Sequence, residues 1–171
     1  MKDDVASQIK SFILPVTVLL IVPLTILWST GGFQPGWGFR LPWDPVLIAI
    51  GAVLMGYGLY LLSVTIQLFV NMGKGTLAPW APTRKLVVIG PYRYVRNPMI
   101  SGVLITLLGE TIVFGSAGLL IWFACFFTLN YAYFMLSEEP GLEKRFGEEY
   151  RRYKKNVPRW IPRLTPWTGA K

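Results

Sequence analysis

Four runs of apolar residues decide what this chain can become: Ser11–Trp28, Val46–Val70, Pro98–Phe114 and Ala117–Leu136. Each comes close to the roughly 20 residues that a helix needs to cross the hydrocarbon core of a bilayer. Most of the 171 residues are then embedded in lipid, which leaves room for one compact unit. The expected fold is an all-α integral membrane protein of about four transmembrane helices. Residues 1–70 carry two spans, 71–97 a cytoplasmic loop, 98–136 a helix hairpin and 137–171 a cytoplasmic segment with an amphipathic helix. The first run, with Lys2 and Lys10 ahead of it, has the look of a signal peptide. It is long, contains Pro15 and Pro23 and lacks a small-residue cleavage site, so it reads as a retained, kinked span. Trp37 and Trp43 suit a headgroup-level belt, and Gly51, Gly56 and Gly58 give the second span a smooth side for close packing.

The net charge is +8, and the bases flank the apolar runs, as membrane topology requires; nucleic acid is not the partner this placement indicates. The loop from Asn71 to Asn97 carries Lys74, Arg84, Lys85, Arg93 and Arg96 and no acid, which marks it as cytoplasmic. Arg151, Arg152, Lys154 and Lys155 mark the C-terminal segment in the same way, so both termini are expected inside. The compact length suits a bacterial or archaeal cell membrane. There is no histidine, and Cys125 is the one cysteine. An intrachain disulfide and a thiolate or histidine metal site are thereby excluded, and so is the commonest general base. Gly73, Lys74 and Gly75 do not meet the pattern of a phosphate-binding loop.

Chemistry concentrates in Gly90–Gly102, GPYRYVRNPMISG, where a basic loop runs into an apolar helix. Pro98 suits a first helical turn, where no amide partner is lost. The first backbone amides of that helix are unpaired and attract anions, with Asn97 as an added donor. Arg93 is explained by lipid phosphates and topology. Beyond the hairpin come Glu138 and Glu139. One reading is helix chemistry, with Ser137 as a cap, acids in the first turn and Pro140 tolerated there. The other is that Glu138 receives a ligand ammonium group. Leu142, Phe146 and Tyr150 recur every four residues, and Glu138 continues their stripe. Glu139 is then a cap or a partner of a loop arginine. Glu110 lies within the third span, where an acid faces the bundle interior. It reads as a buried partner of Thr106, Thr111, Asn130 or Tyr131, or else as part of an acceptor site.

The segments LVVIGPYRYVRNPMISG and EEPGLEKRFGEEYRRYKKNVPRWIP resemble the isoprenylcysteine carboxyl methyltransferase family and the related membrane phospholipid methyltransferases. The resemblance covers the C-terminal half, with a hairpin between the two segments. It implies S-adenosylmethionine as cofactor, bound at the cytoplasmic face between the stretch before the hairpin and the acid after it. Carried over residue by residue, it implies cofactor contacts from Arg84, Lys85, Leu86, Val87, Tyr92, Asn97, Pro98, Met99, Ile100 and Glu138. The family's usual histidine is Asn97 here, and an aromatic residue it often carries is Ile100. The substrate-binding arginine of prenylcysteine-modifying members corresponds to Phe134, which puts a prenylcysteine carboxylate in doubt as acceptor.

Methyl transfer from a sulfonium is an in-line displacement that asks the protein for alignment and exclusion of water. A carboxylate acceptor needs no base, and an amine need only be deprotonated, so the missing histidine fits alkylation better than hydrolysis. The expected partner is a membrane lipid or another lipidated or amphipathic acceptor, entering sideways from the bilayer. The alternatives are a nicotinamide-dependent reductase of the membrane sterol type and a non-catalytic membrane binding protein of the same fold.

Overall fold

The computed structural model describes residues 13–39, 41–71 and 86–169, and every regular element among them is helical. Helix α1 spans Ile13–Thr30 and α2 spans Trp43–Asn71. A short 3₁₀ turn, Gly90–Arg93, precedes α3, Pro98–Phe114. Then come α4, Ala117–Tyr133, and α5, Glu139–Asn156. Three helical stretches are long and apolar enough to cross a membrane: Ile13–Thr30, Trp43–Leu68 and Ala117–Asn156, whereas α3 is a shorter apolar helix. Only 17–22 % of the apolar windows in the three long stretches is buried within the chain. So much exposed apolar surface needs hydrocarbon around it, and the protein is a membrane protein.

Helices α2 and α3 make the most extensive contact in the fold. Glycine sets its distance. A Cβ on Gly58 would lie 2.7 Å from the Gly102 carbonyl oxygen, and one on Gly102 would lie 2.9 Å from that of Gly58. Gly51 and Gly109 form a second reciprocal contact two turns away, at 2.8 and 2.7 Å. Backbones this close gain dispersion that side chains would prevent, which matters where lipid is as apolar as leucine. Gly51 and Gly58 thus line the smooth side expected of this span, whereas Gly56 faces open space.

Proline shapes the other two long helices in one way. A π-helical turn at Thr17–Ile21 ends two residues before Pro23, and another at Phe134–Glu138 ends two residues before Pro140. Proline lacks the N–H that the carbonyl four residues earlier would accept, and its ring crowds that carbonyl. Widening the helix by one residue moves the carbonyl aside without breaking the rod. In α1 the Val18 carbonyl, within the widened turn, accepts the Trp122 Nε1 donor of α4 at 3.2 Å.

The second π turn corrects the sequence reading of Ser137. No helix begins there: backbone angles stay right-handed helical from Tyr133 through Glu139, and α4 runs into α5. Ser137 is exposed and caps nothing. The helix breaks later, at Gly147, whose φ of 55° favours glycine. Leu142 and Phe146 nevertheless pack with buried Tyr150, Tyr153 and Val157, so the apolar stripe is present.

At one end of the bundle Gly36 N–H donates to the Val113 carbonyl and Trp37 Nε1 to that of Ile112, tying the α1–α2 loop to the end of α3. The opposite end gathers the start of α3, the α4–α5 junction and the C-terminal segment.

Replacing Gly58 by alanine drives its Cβ into the α3 backbone, an overpacking expected to cost about 1–3 kcal/mol. Gly56→Ala meets nothing and is expected to be neutral or mildly stabilising. Thermal unfolding in detergent measures both. Equal midpoints for the two variants would mean that the α2–α3 seam is not tight.

Candidate functional site

The turn before α3 is held by local hydrogen bonds: Tyr92 N–H donates to the Ile89 carbonyl at 3.1 Å and Tyr94 N–H to that of Pro91 at 3.0 Å. Val95 is buried and anchors it. Asn97 occupies the N-cap position of α3 at φ −121°, ψ 60°, but its side chain makes no capping hydrogen bond. Its carbonyl accepts the Ser101 N–H and hydroxyl, each at 2.9 Å. Pro98 has no N–H, and the amides of Met99 and Ile100 fall in the first turn, where no carbonyl of the helix reaches them. The side chains of Met99 and Ile100 pack against the bundle core, leaving that helix end to its backbone.

The two acids are treated differently. Glu139 is only 4 % exposed. It takes Arg96 Nη1 at 2.8 Å, Arg159 Nε at 2.7 Å and Lys154 Nζ at 3.2 Å. Burial alone would raise its pKa. The hydrogen bond from Arg159, the charge of Arg96 and the contact with Lys154 outweigh burial and hold it below the usual carboxylate range. Of the two roles read for Glu139 from the sequence, a cap or a partner of a loop arginine, the ion pair with Arg96 matches the second.

Glu138, half-buried beside it, forms no ion pair among the described residues. Burial, and then the like charge of Glu139, push its pKa up to about 7. Glu139 is the less exposed of the two, and the π turn ends at Glu138. The charge of Glu138 is felt at Tyr92, whose hydroxyl pKa rises through burial, the neighbouring Tyr153 and this carboxylate. Tyr153 also donates its hydroxyl to the Tyr92 carbonyl at 2.7 Å, pinning the turn to α5.

Asn97 and Glu138 thus share one end of the bundle, since the Arg96–Glu139 bridge joins their immediate neighbours. Arg84 and Lys85 lie outside the described residues. Leu86 packs on the Tyr150–Tyr153–Val157 cluster, and Val87 follows it outside any regular element. Leu86 also lines a cleft of about 780 Å³ with Gly90, Arg93, Arg152 and Trp167, a lining that includes neither Glu138 nor Asn97. Phe134 is buried against Trp160, ring centroids 5.6 Å apart. Glu110 is 7 % exposed, and its Oε2 has no partner among the described residues. Thr106, Thr111 and Asn130 bond carbonyls of their own helices instead of serving it. Glu110 stands twelve residues along α3 from Pro98, which places it roughly 18 Å from the turn.

The sequence reading missed Arg159 and Lys154 as partners of Glu139. Lys154 looked like one more topological base. The signal for Arg159 was its place in a proline-bracketed, non-helical stretch, Pro158–Pro162, where the backbone is shaped to put a side chain somewhere.

A helical membrane protein whose one end gathers a half-buried acid with no ion pair among the described residues and an uncapped helix start is built as a membrane-bound enzyme or binding protein. Residues 46–149 match the phospholipid methyltransferase family, and the chain belongs to that family. It is therefore, in general terms, a membrane methyltransferase. The match runs from α2 through most of α5 and includes the turn and both acids. No curated protein and no solved structure matches the chain.

Glu139→Gln strands Arg96 and Arg159, whose side chains are 10 % and 13 % exposed, and is expected to cost about 3–5 kcal/mol of stability. Glu138→Gln removes an unpaired carboxylate and should leave stability unchanged or slightly raised near neutral pH. Chemical unfolding of both variants checks this; equal losses would mean that the two acids are not distinguished as described.

Proposed function

We propose that the protein is an integral-membrane S-adenosylmethionine-dependent methyltransferase acting on a lipid-like or amphipathic acceptor with a carboxylate or an amine. The observation that carries this reading is the contrast between the acids. Glu139 is neutralised by three cations, while Glu138, next to it, has none among the described residues, at the same end as the uncapped start of α3. An amino-acid head group carries both signs of charge. Glu138 would receive its ammonium, and the Met99 and Ile100 amides with Asn97 would receive its carboxylate. Leu86, Val87, Tyr92 and Pro98, with Arg84 and Lys85, would complete the cofactor surface. When bound, the sulfonium cofactor supplies an electrophilic methyl group. An acceptor lone pair would then displace the methyl carbon from sulfur, with the electron pair of the broken carbon–sulfur bond left on the sulfur.

The chain's own contribution is alignment and the exclusion of water. Glu138 holds the charged head group, and the half-buried Tyr92 and buried Val95 keep the turn in place. In this reading α3 and α4 cross as a hairpin, four helices span the bilayer, both termini are cytoplasmic and the membrane is a prokaryotic cell membrane. The acceptor reaches the site from the lipid. Phe134 and Glu110 are the weaker substrate-side candidates.

Radiolabelled methyl transfer to the lipid fraction, with the protein in proteoliposomes, tests the reaction. Consumption of reduced nicotinamide with no label transferred would overturn it. Binding of the cofactor needs Glu138 ionised, and its pKa is about 7 in the free protein. The ligand-binding form is the deprotonated one, so affinity should fall as the pH drops below that value, by up to about tenfold per unit. Glu138→Gln should flatten this dependence and weaken binding by about 1.5–3 kcal/mol. Calorimetry in detergent across pH 5.5–8.5, roughly one and a half units either side of that pKa, reads both, and an unchanged affinity in the variant would remove Glu138 from the site.

A further inference from the structure

We infer that the C-terminal strap, residues 158–167, is itself seated in the membrane, with Ile161 and Leu164 among the acyl chains of the leaflet next to the Glu138 end of the bundle. The strap follows α5 and contains no regular helix. One edge is fixed to the turn before α3: Arg96 N–H donates to the Pro158 carbonyl at 2.9 Å, Arg163 N–H to that of Tyr94 at 3.0 Å, and Trp167 N–H to that of Arg93 at 2.9 Å. Arg93 Nε returns a bond to the Trp167 carbonyl at 2.8 Å.

Its depth is set by Trp160. That ring lies 5.4 Å from the ring of Phe127 on α4 and 5.6 Å from that of Phe134 in the π turn after it, both within the apolar run that ends at Leu136. Trp160 also packs against the core cluster that includes Val103, Leu104 and Phe126. A ring between the levels of Phe127 and Phe134 stands roughly 8 Å short of Leu136 along a helix rising 1.5 Å per residue. The strap therefore doubles back beside the membrane span instead of leaving it for water.

Ile161 follows immediately and is 80 % exposed, and Leu164 is 100 % exposed. In water, two such side chains on an otherwise tightly bonded strap would be a standing cost. Beside α4 and the π turn after it, where Tyr131, Met135 and Leu136 are also exposed, they continue the lipid-facing surface. The neighbouring cations agree with a headgroup level. Arg159 reaches back over Tyr131 to Glu139, and Arg163 donates to the Asn156 carbonyl at 2.6 Å. The strap lies beyond the matched residues 46–149, and the inference does not depend on the cofactor.

The test is site-directed spin labelling of the full chain in nanodiscs of phosphatidylcholine and phosphatidylglycerol. Replacing Cys125 by alanine leaves no native thiol. Leu164→Cys and Ile161→Cys are then labelled, with Leu120→Cys on α4 as the lipid reference and Lys155→Cys on α5 as the water reference, both exposed positions. Collision with oxygen relative to a water-soluble nickel chelate should be several-fold higher at 161 and 164 than at 155, and should approach the value at 120. Values equal to those at 155 would place the strap in water and overturn the inference. Spin–spin broadening between copies at 164, lost on dilution with unlabelled protein, would also overturn it, by showing that a second copy covers these residues.

Discussion

A single buried carboxylate assembles the working end of this protein. Glu139 joins the turn before α3 through Arg96, the body of α5 through Lys154 and the C-terminal strap through Arg159. Removing charges from water is expensive, and one partner alone rarely repays the cost. Three cations around one acid do so here because the site lies at the end of the bundle, where Lys154 still meets solvent. The knot leaves a second acid one residue away without an ion pair among the described residues. The binding role proposed for Glu138 thus depends on how completely Glu139 is satisfied.

The membrane part of the fold follows a different rule. Between α2 and α3 there is little hydrophobic drive to associate in lipid, and the contact depends on backbones that approach closely at Gly51, Gly58, Gly102 and Gly109. That seam fixes the start of α3 relative to α2, and with it the position of Asn97. Proline sets the other boundary. Each π turn absorbs a proline that would otherwise break a long helix, and the second one ends at Glu138 itself. The widened turn lets a helix leave the apolar region and continue into the polar segment as one rod, with both acids at the transition.

The strap links these two parts. Its backbone bonds hold Arg93, Tyr94 and Arg96, and its tryptophan rests on α4. The turn before α3 is thereby gripped from two sides, by the bundle beneath and the strap above. A small soluble ligand at this end would meet a rigid frame in spite of its place between helices and lipid.

The sequence by itself determined the class: apolar runs of spanning length, bases flanking them, and two segments around a hairpin that resemble membrane methyltransferases. It also placed Asn97 and Glu138 at one end, because two adjacent helices of similar length must return the chain to its starting level. These properties are local, or follow from counting residues. Tertiary structure alone decided that three cations converge on Glu139, since Arg96, Lys154 and Arg159 come from three separate segments and no periodicity announces their convergence. It also decided that Ser137 caps nothing, because the helix widens ahead of Pro140 instead of restarting. Glu110 shows the same division: its burial was legible from its place in an apolar run, whereas the choice of Thr106, Thr111 and Asn130 to bond their own helices was not. Hydropathy records how far a residue lies from water, but the partner it finds there depends on segments distant in the chain.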